Sequence, residues 1–182
     1  MLCTLFAVGL AHSTTVIPPT FEELVSKAQT IFVGEVVNQR SMFQNTPQGR
    51  SIITVVTFQV ADVWKGDASP ITQLEFLGGT VDDLRMTVQG MPTFHIGQRD
   101  VLFVGSTVRT VSPLVGLMHG RLRIEREPVS GVDRVRTHDG RSLGSTAQLG
   151  PQRVDSMLSI APMRLSELKS AVRSRVSAAM AR

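Results

Sequence analysis

The chain has one cysteine, Cys3, one tryptophan, Trp64, and no tyrosine. A single cysteine excludes an intrachain disulfide and any zinc site built on clustered thiolates. No aromatic residue follows Phe103, so the last part of the chain offers no platform for stacking nucleic-acid bases. No apolar run approaches the ~20 residues that a membrane-spanning helix needs. Catalytic signatures are equally scarce. There is no Walker loop, no G-x-G-x-x-G, no H-E-x-x-H and no EF-hand ligand spacing. Asn45-Thr46-Pro47 lacks the serine or threonine of a glycosylation sequon.

What remains is an ordinary globular composition. The 182 residues are 42% hydrophobic, enough for one domain that folds without disulfides. The net charge of +4 is uneven. Residues 1–120 hold 7 Lys/Arg against 9 Asp/Glu, and residues 121–182 hold 12 against 6. A basic half can favour an anionic surface or nucleic acid. Without a recognition motif it reads as a solvated face, and nucleic acid is not expected as a partner.

Leu2 to Leu10 is an unbroken run of apolar and small residues, followed by Ala11-His12-Ser13. Small residues fall at −3 and −1 of a cleavage after Ser13, which is the layout of a signal peptide. No Lys or Arg precedes the run, so the signal would be truncated at its start; a buried N-terminal strand is the other reading. With the signal removed, the expected protein is exported, periplasmic or secreted, and contains no cysteine.

Thr20 and Glu23 are spaced as a capping box, and Phe21, Leu24, Val25 and Ala28 make one face of a short helix. Thr30 to Gln39 is β-rich, with Gly34 marking a bulge or bend. Met42 to Arg50 reads as a loop. In Ser51 to Trp64, Val56, Phe58 and Val60 alternate with polar or small residues, as on a half-buried strand. Ile71–Leu77, Leu84–Val88, Asp100–Val104 and Leu114–Glu125 continue the β set. Val132–Thr137 is expected to pair with the strand before it, ending at the Asp139-Gly140 turn. Residues 144–160 read as a loop or covering segment. After Pro162 comes a helix with an apolar stripe of Leu165, Leu168, Val172 and Val176. Many short strands between two helices predict a closed or partly open barrel.

The motifs Ala28–Val36, Val60–Gly66, Gly78–Val81, Val88–Gly97 and Val101–Phe103 resemble, in that order, a group of exported bacterial proteins of uncharacterised function. Val115-Gly116-Leu117, Gly120, Leu122 and the terminal helix with Leu165 and Leu168 fit as well. Similar segments occur in exported proteins associated with matrixin-type metalloproteases, whose own H-E-x-x-H is absent here. At a greater distance the pattern is similar to netrin-like modules and tissue inhibitors of metalloproteinases. That resemblance implies a mainly β fold: an OB-like barrel of five to seven strands with a short N-terminal helix and a C-terminal amphipathic helix. Those inhibitors act through a mature N-terminal cysteine, and after the expected cleavage no cysteine would remain here. The expected division is residues 1–13 as signal, 14–128 as the barrel, and 129–182 as a hairpin, loop and helix packed on it.

Gly140-Arg141-Ser142-Leu143-Gly144 matches G-x-S-x-G. A nucleophile elbow requires a following helix and a later histidine, and the last histidine is His138. The serine is therefore read as part of a turn, no catalytic residue is assigned, and no cofactor is expected. His95 and His119 with Asp82 or Asp83 form the donor set of an alternative reading, a mixed metal site. Nothing in the sequence brings these residues together, and Asp82-Asp83 beside Gly78-Gly79 is first a turn.

The expectation is a non-catalytic module that binds a protein outside the cytoplasm. Its candidate surface is the pair of loops Gly78–Asp83 and Gly90–Gly97, represented by Gly78, Gly79, Asp82, Asp83, Pro92, Phe94 and His95, with Trp64 as a further aromatic. Phe94 and Trp64 also read as core filling. A third reading is an envelope-associated protein whose basic C-terminal helix makes a weak contact with an anionic surface.

Overall fold

The structure is a computed structural model that describes residues 17–46, 49–105, 111–151 and 161–181. The expected signal, residues 1–13, lies outside the described residues. The fold is mainly β and antiparallel. A short helix α1 (Phe21–Lys27) leads into the strands β1 (Thr30–Thr46), β2 (Gly49–Lys65), β3 (Ile71–Leu77), β4 (Gly79–Val81), β5 (Leu84–Met86), β6 (Arg99–Val104), β7 (Arg121–Arg126) and β8 (Asp133–Arg136). A longer helix, α2 (Leu165–Met180), follows.

Six strands form one sheet in the order β3-β2-β1-β6-β7-β8, and β4-β5 is a separate hairpin. Among the described residues no strand pairing joins β3 to β7 or β8, so hydrogen bonding does not close the expected barrel.

The capping box forms as the sequence predicts. The Glu23 amide donates to the Thr20 hydroxyl at 3.2 Å, and the Thr20 amide donates to the Glu23 carboxylate at 2.9 Å. The other end of α1 is closed from a distant strand. Lys65 Nζ donates to the carbonyls of Val25 (2.6 Å) and Ala28 (2.5 Å), where the helix leaves its acceptors unpaired. Gly66 next to it has φ +65° and lies against the Gln29 carbonyl, where a Cβ would come within 2.3 Å. Trp64 is 5% exposed, and its indole N–H donates to Asp62 at 2.9 Å. Asp62 also accepts from Lys169 at 2.5 Å, tying β2 to α2. The Trp64-Lys65-Gly66 motif thus holds both helices to the sheet, and Trp64 belongs to the core rather than to a binding surface.

The segment Met42–Arg50, expected as a loop, is instead mostly ladder. Pairing runs from Met42↔Ile53 to Thr46↔Gly49. Cross-strand contacts such as Phe43↔Ile52 support it, and the Arg50 guanidinium stacks 3.6 Å from the centre of the Phe43 ring. An antiparallel ladder satisfies backbone groups residue by residue, so it continues past the point where composition suggests a turn. Gly34 sits at one of three register shifts in β1; a Cβ there would meet Phe32 at 2.9 Å and Phe58 at 3.1 Å.

Strand alternation sends side chains to two cores. Ile31, Val33, Val101, Phe103, Leu122 and Val135 meet the helices, including Leu24, Leu168 and Val172. Phe32, Val36, Leu102 and Val104 turn the other way and pack with Val56, Phe58, Phe76 and Phe94. The predicted stripe of α2 therefore faces the core, with Leu168 and Val172 buried and Leu165 and Val176 packed beside them. β8 pairs with β7 as expected, and its free edge is met by the backbone of Met163 and Arg164. No helix among the described residues is long and apolar enough to cross a membrane.

Candidate functional site

The β4–β5 hairpin folds over the long β1–β2 ribbon and creates a cleft. Gly78 (φ +104°) and Gly79 (φ +138°) let the chain turn into it. The Gly78 amide donates to the Ile52 carbonyl at 2.8 Å, and the Thr54 hydroxyl donates to the Gly78 carbonyl at 2.7 Å. Gly79 lies so close to the hydroxyls of Ser41 and Thr54 that a Cβ would come within 2.4 Å of each. Only glycine combines that φ with that approach.

The segment after β5 forms the opposite wall. It is fastened by backbone bonds: Met118 N–H to the Gly90 carbonyl (3.1 Å), Gly97 N–H to the Val36 carbonyl (2.8 Å) and Val36 N–H to the Gln98 carbonyl (2.9 Å). Phe94 anchors the middle, with its ring centre 5.4 Å from Phe58 and 5.0 Å from Phe76. The cleft between these walls measures about 470 Å³. Gly78, Gly79, Pro92, Phe94 and His95, all singled out in the sequence, line it. Asp82 and Asp83 do not; they form the tip of the β4–β5 hairpin, with Asp82 at φ +52°. Among the described residues no carboxylate lines the cleft, whereas Arg40 and Arg85 do.

A second pocket of about 260 Å³ continues from the same wall, sharing Met91, Pro92, Thr93 and His95. Its polar residues are Thr93, His95, Gln98, Arg121, Arg123 and His138. Behind it lies a buried ion pair. Asp100 is fully buried, and its Oδ1 accepts from Arg121 Nε at 3.0 Å. Arg121 also donates to the Thr93 carbonyl and places its guanidinium 4.6 Å from the centre of the Phe94 ring. Burial raises the Asp100 pKa above the ordinary carboxylate value, while the charges of Arg121 and Arg123 oppose the rise. Asp100 Oδ2, Gln98 Oε1 and Arg123 Nε are buried and have no hydrogen-bond partner among the described residues.

His119 stands edge-on to His138, ring centres 4.8 Å apart. Burial lowers both pKa values, and His138 further lowers that of His119. His119 is thus paired with His138, not with His95 and the two aspartates. Among the described residues no group of three His, Cys, Asp or Glu side chains could hold a metal ion. Ser142 sits in the turn after β8 and accepts from Arg136 at 3.2 Å, and the residues around it are not helical.

The sequence reading missed Gln98, Asp100, Arg121, Arg123 and His138. Its usable signal was the alternation Arg121-Leu122-Arg123-Ile124, which puts both arginines on one face of β7. No protein-family model, curated protein or solved structure matches this chain.

Proposed function

We propose that this protein is a non-catalytic binding module acting outside the cytoplasm, and that its partner presents an extended acidic segment of polypeptide to the cleft between the β4–β5 hairpin and residues 91–95. The observation that carries this reading is the charge of the cleft. Arg40 and Arg85 line it, and among the described residues no carboxylate does, so an acidic segment would meet complementary potential. Phe76, Met86, Val88 and Met91 supply apolar surface between the charges. The apolar run and small-x-small pattern of residues 2–13 support export.

The same reading treats the fold as an OB-like, partly open barrel, distantly akin to netrin-like modules. Its support is the neighbour order β3-β2-β1-β6-β7 around the apolar interior of Phe32, Phe58 and Leu102. The cleft lies beside the β3 edge, where such a barrel would have its seam.

The test is quantitative capture of exported proteins from the source organism on residues 14–182, followed by affinity measurement with the purified partner. Arg40→Glu with Arg85→Glu should weaken binding at least tenfold, with an unchanged circular dichroism spectrum. Equal affinity for the wild type and this double variant would reject the cleft as the binding surface.

A further inference from the structure

We infer that the 260 Å³ pocket beside the cleft is a binding site for a single carboxylate group, received by the guanidinium of Arg123 with Gln98 alongside. The inference is independent of the acidic-segment reading, because it concerns a different pocket and is tested without a protein partner.

Charge is unbalanced on this side of β6, β7 and β8. Alternation places Asp100, Arg121, Arg123, Glu125, Arg134 and Arg136 on the face opposite the helices, since their neighbours Val101, Leu122, Ile124 and Val135 pack under them. Asp100 is matched to Arg121, Glu125 to Arg136, and Arg134 to Glu127 just past the end of β7. Arg123 stands between the first two pairs as the Cα partner of both Asp100 and Arg136, and it forms no ion pair among the described residues. The surplus is one positive charge, and burial lowers the His138 pKa, which disfavours a further positive charge there.

Hydrogen bonding is unbalanced too. Among the described residues Nε of Arg123 is a buried donor without an acceptor, while Oε1 of Gln98 and Oδ2 of Asp100 are buried acceptors without a donor, and Arg123 and Gln98 line the pocket. An unpaired buried polar group is costly, and sites that bind polar ligands are where such groups persist. A carboxylate satisfies the guanidinium through its edge, in the two-pronged geometry that arginine favours. Gln98 can offer its amide N–H₂ to the same group, or its oxygen to an adjoining N–H. A monoanion matches the surplus of one charge, which a dianionic phosphate would exceed. The pocket is too small for a folded partner, and it shares Met91, Pro92, Thr93 and His95 with the cleft. Its carboxylate can therefore come from a free small acid or from the C-terminus of a polypeptide.

The experiment is a titration of the full chain at constant ionic strength, with chloride exchanged for acetate, and separately with N-acetyl-alanyl-alanine, its C-terminal amide, and phosphate. Two signals are followed: the Arg123 Nε–Hε resonance, identified by its loss in Arg123→Gln, and the His138 ring resonance, which also reports on that variant. Saturable shifts with acetate are expected, with at least tenfold weaker binding in Arg123→Gln and unchanged binding in Arg126→Gln, whose side chain lies outside the pocket. If Arg123→Gln does not fold, Arg123→Lys tests the same point, since it keeps the charge but loses the planar fork. Tighter binding of the peptide acid than of both acetate and the amide would assign the source to a chain end. Equal binding of acetate and the peptide acid would assign it to a free acid. Absence of a saturable shift with either carboxylate, binding of phosphate alone, or undiminished binding by both Arg123 variants would overturn the inference.

Discussion

On the face that carries Ile31, Val101 and Leu122, the sheet meets two helices, and its residues form a continuous apolar core. On the opposite face the cover is the curl of β2 and β3 with the segment around Phe94, and it reaches only part of the way. Beyond Phe94 that face becomes a network of Asp100, Arg121, Arg123, Glu125 and Arg136 bordered by pockets. The strands are the same and alternate by the same rule, so the difference comes from what lies above them. A helix brings its own apolar stripe and leaves no room for charge. A loop anchored by one phenylalanine leaves an open margin, where charged groups persist if they pair or meet solvent.

The largest test of this contrast is truncation on both faces. Phe58→Ala should cost about 3–5 kcal/mol and Leu168→Ala about 2–5 kcal/mol in urea unfolding, because each leaves a cavity in a closed core. A cost below ~1 kcal/mol for Phe58→Ala would mean that the second face is loosely packed throughout. Such truncations also separate core packing of α2 from membrane docking, since a helix that only docks would tolerate Leu168→Ala.

Close behind comes the ion pair at the boundary. Asp100→Asn leaves the Arg121 guanidinium buried without its counter-charge, and a loss of about 3–5 kcal/mol is expected. Asp100→Leu combined with Arg121→Met should recover most of it. If Asp100→Asn is nearly neutral by thermal unfolding, water reaches the pair and the polar margin extends deeper than the geometry indicates.

Gly79→Ala places a side chain against Ser41 and Thr54 at φ +138°. The expected cost is about 1–3 kcal/mol, focused on the β4–β5 hairpin. Hydrogen exchange should accelerate there while β6 and β7 stay protected. Uniform acceleration would show that the hairpin and the sheet unfold as one unit.

The smallest effect concerns the histidine pair. His119 and His138 have folded-state pKa values lowered from 6.5, first by burial, with Asp139 opposing and Arg141 adding to the shift. A lowered value means that the unfolded chain binds more protons. Stability is therefore full above pH 6.5 and declines as pH falls through that value toward the folded-state pKa values. The double change His119→Gln and His138→Gln should flatten the decline between neutral and mildly acidic pH. An unchanged slope in denaturation midpoints would assign it to other groups.

Much of the fold was legible because local rules were obeyed. The Thr20–Glu23 box, the Gly34 irregularity, the stripe of α2 and the pairing of β8 with β7 each depend on residues close in sequence or on simple alternation. The ribbon through Met42–Arg50 was not legible, because a ladder is extended by its partner strand and not by its own composition. Of the candidate surface, the glycine turns and the Pro92–His95 segment were recognisable as loops. Their convergence on one cleft was not, and Asp82, Asp83 and Trp64 went elsewhere.

The sequence alone determined that the chain forms a mainly β domain flanked by two helices, without disulfides or a thiolate metal centre. It could do so because periodicity, capping and cysteine count are properties of neighbouring residues. Only the tertiary structure decided that Lys65 closes α1, that His119 faces His138, and that Arg123 lines a pocket without an ion-pair partner among the described residues. Those outcomes depend on contacts between distant segments, and on which face of the sheet the helices cover, which no local pattern encodes.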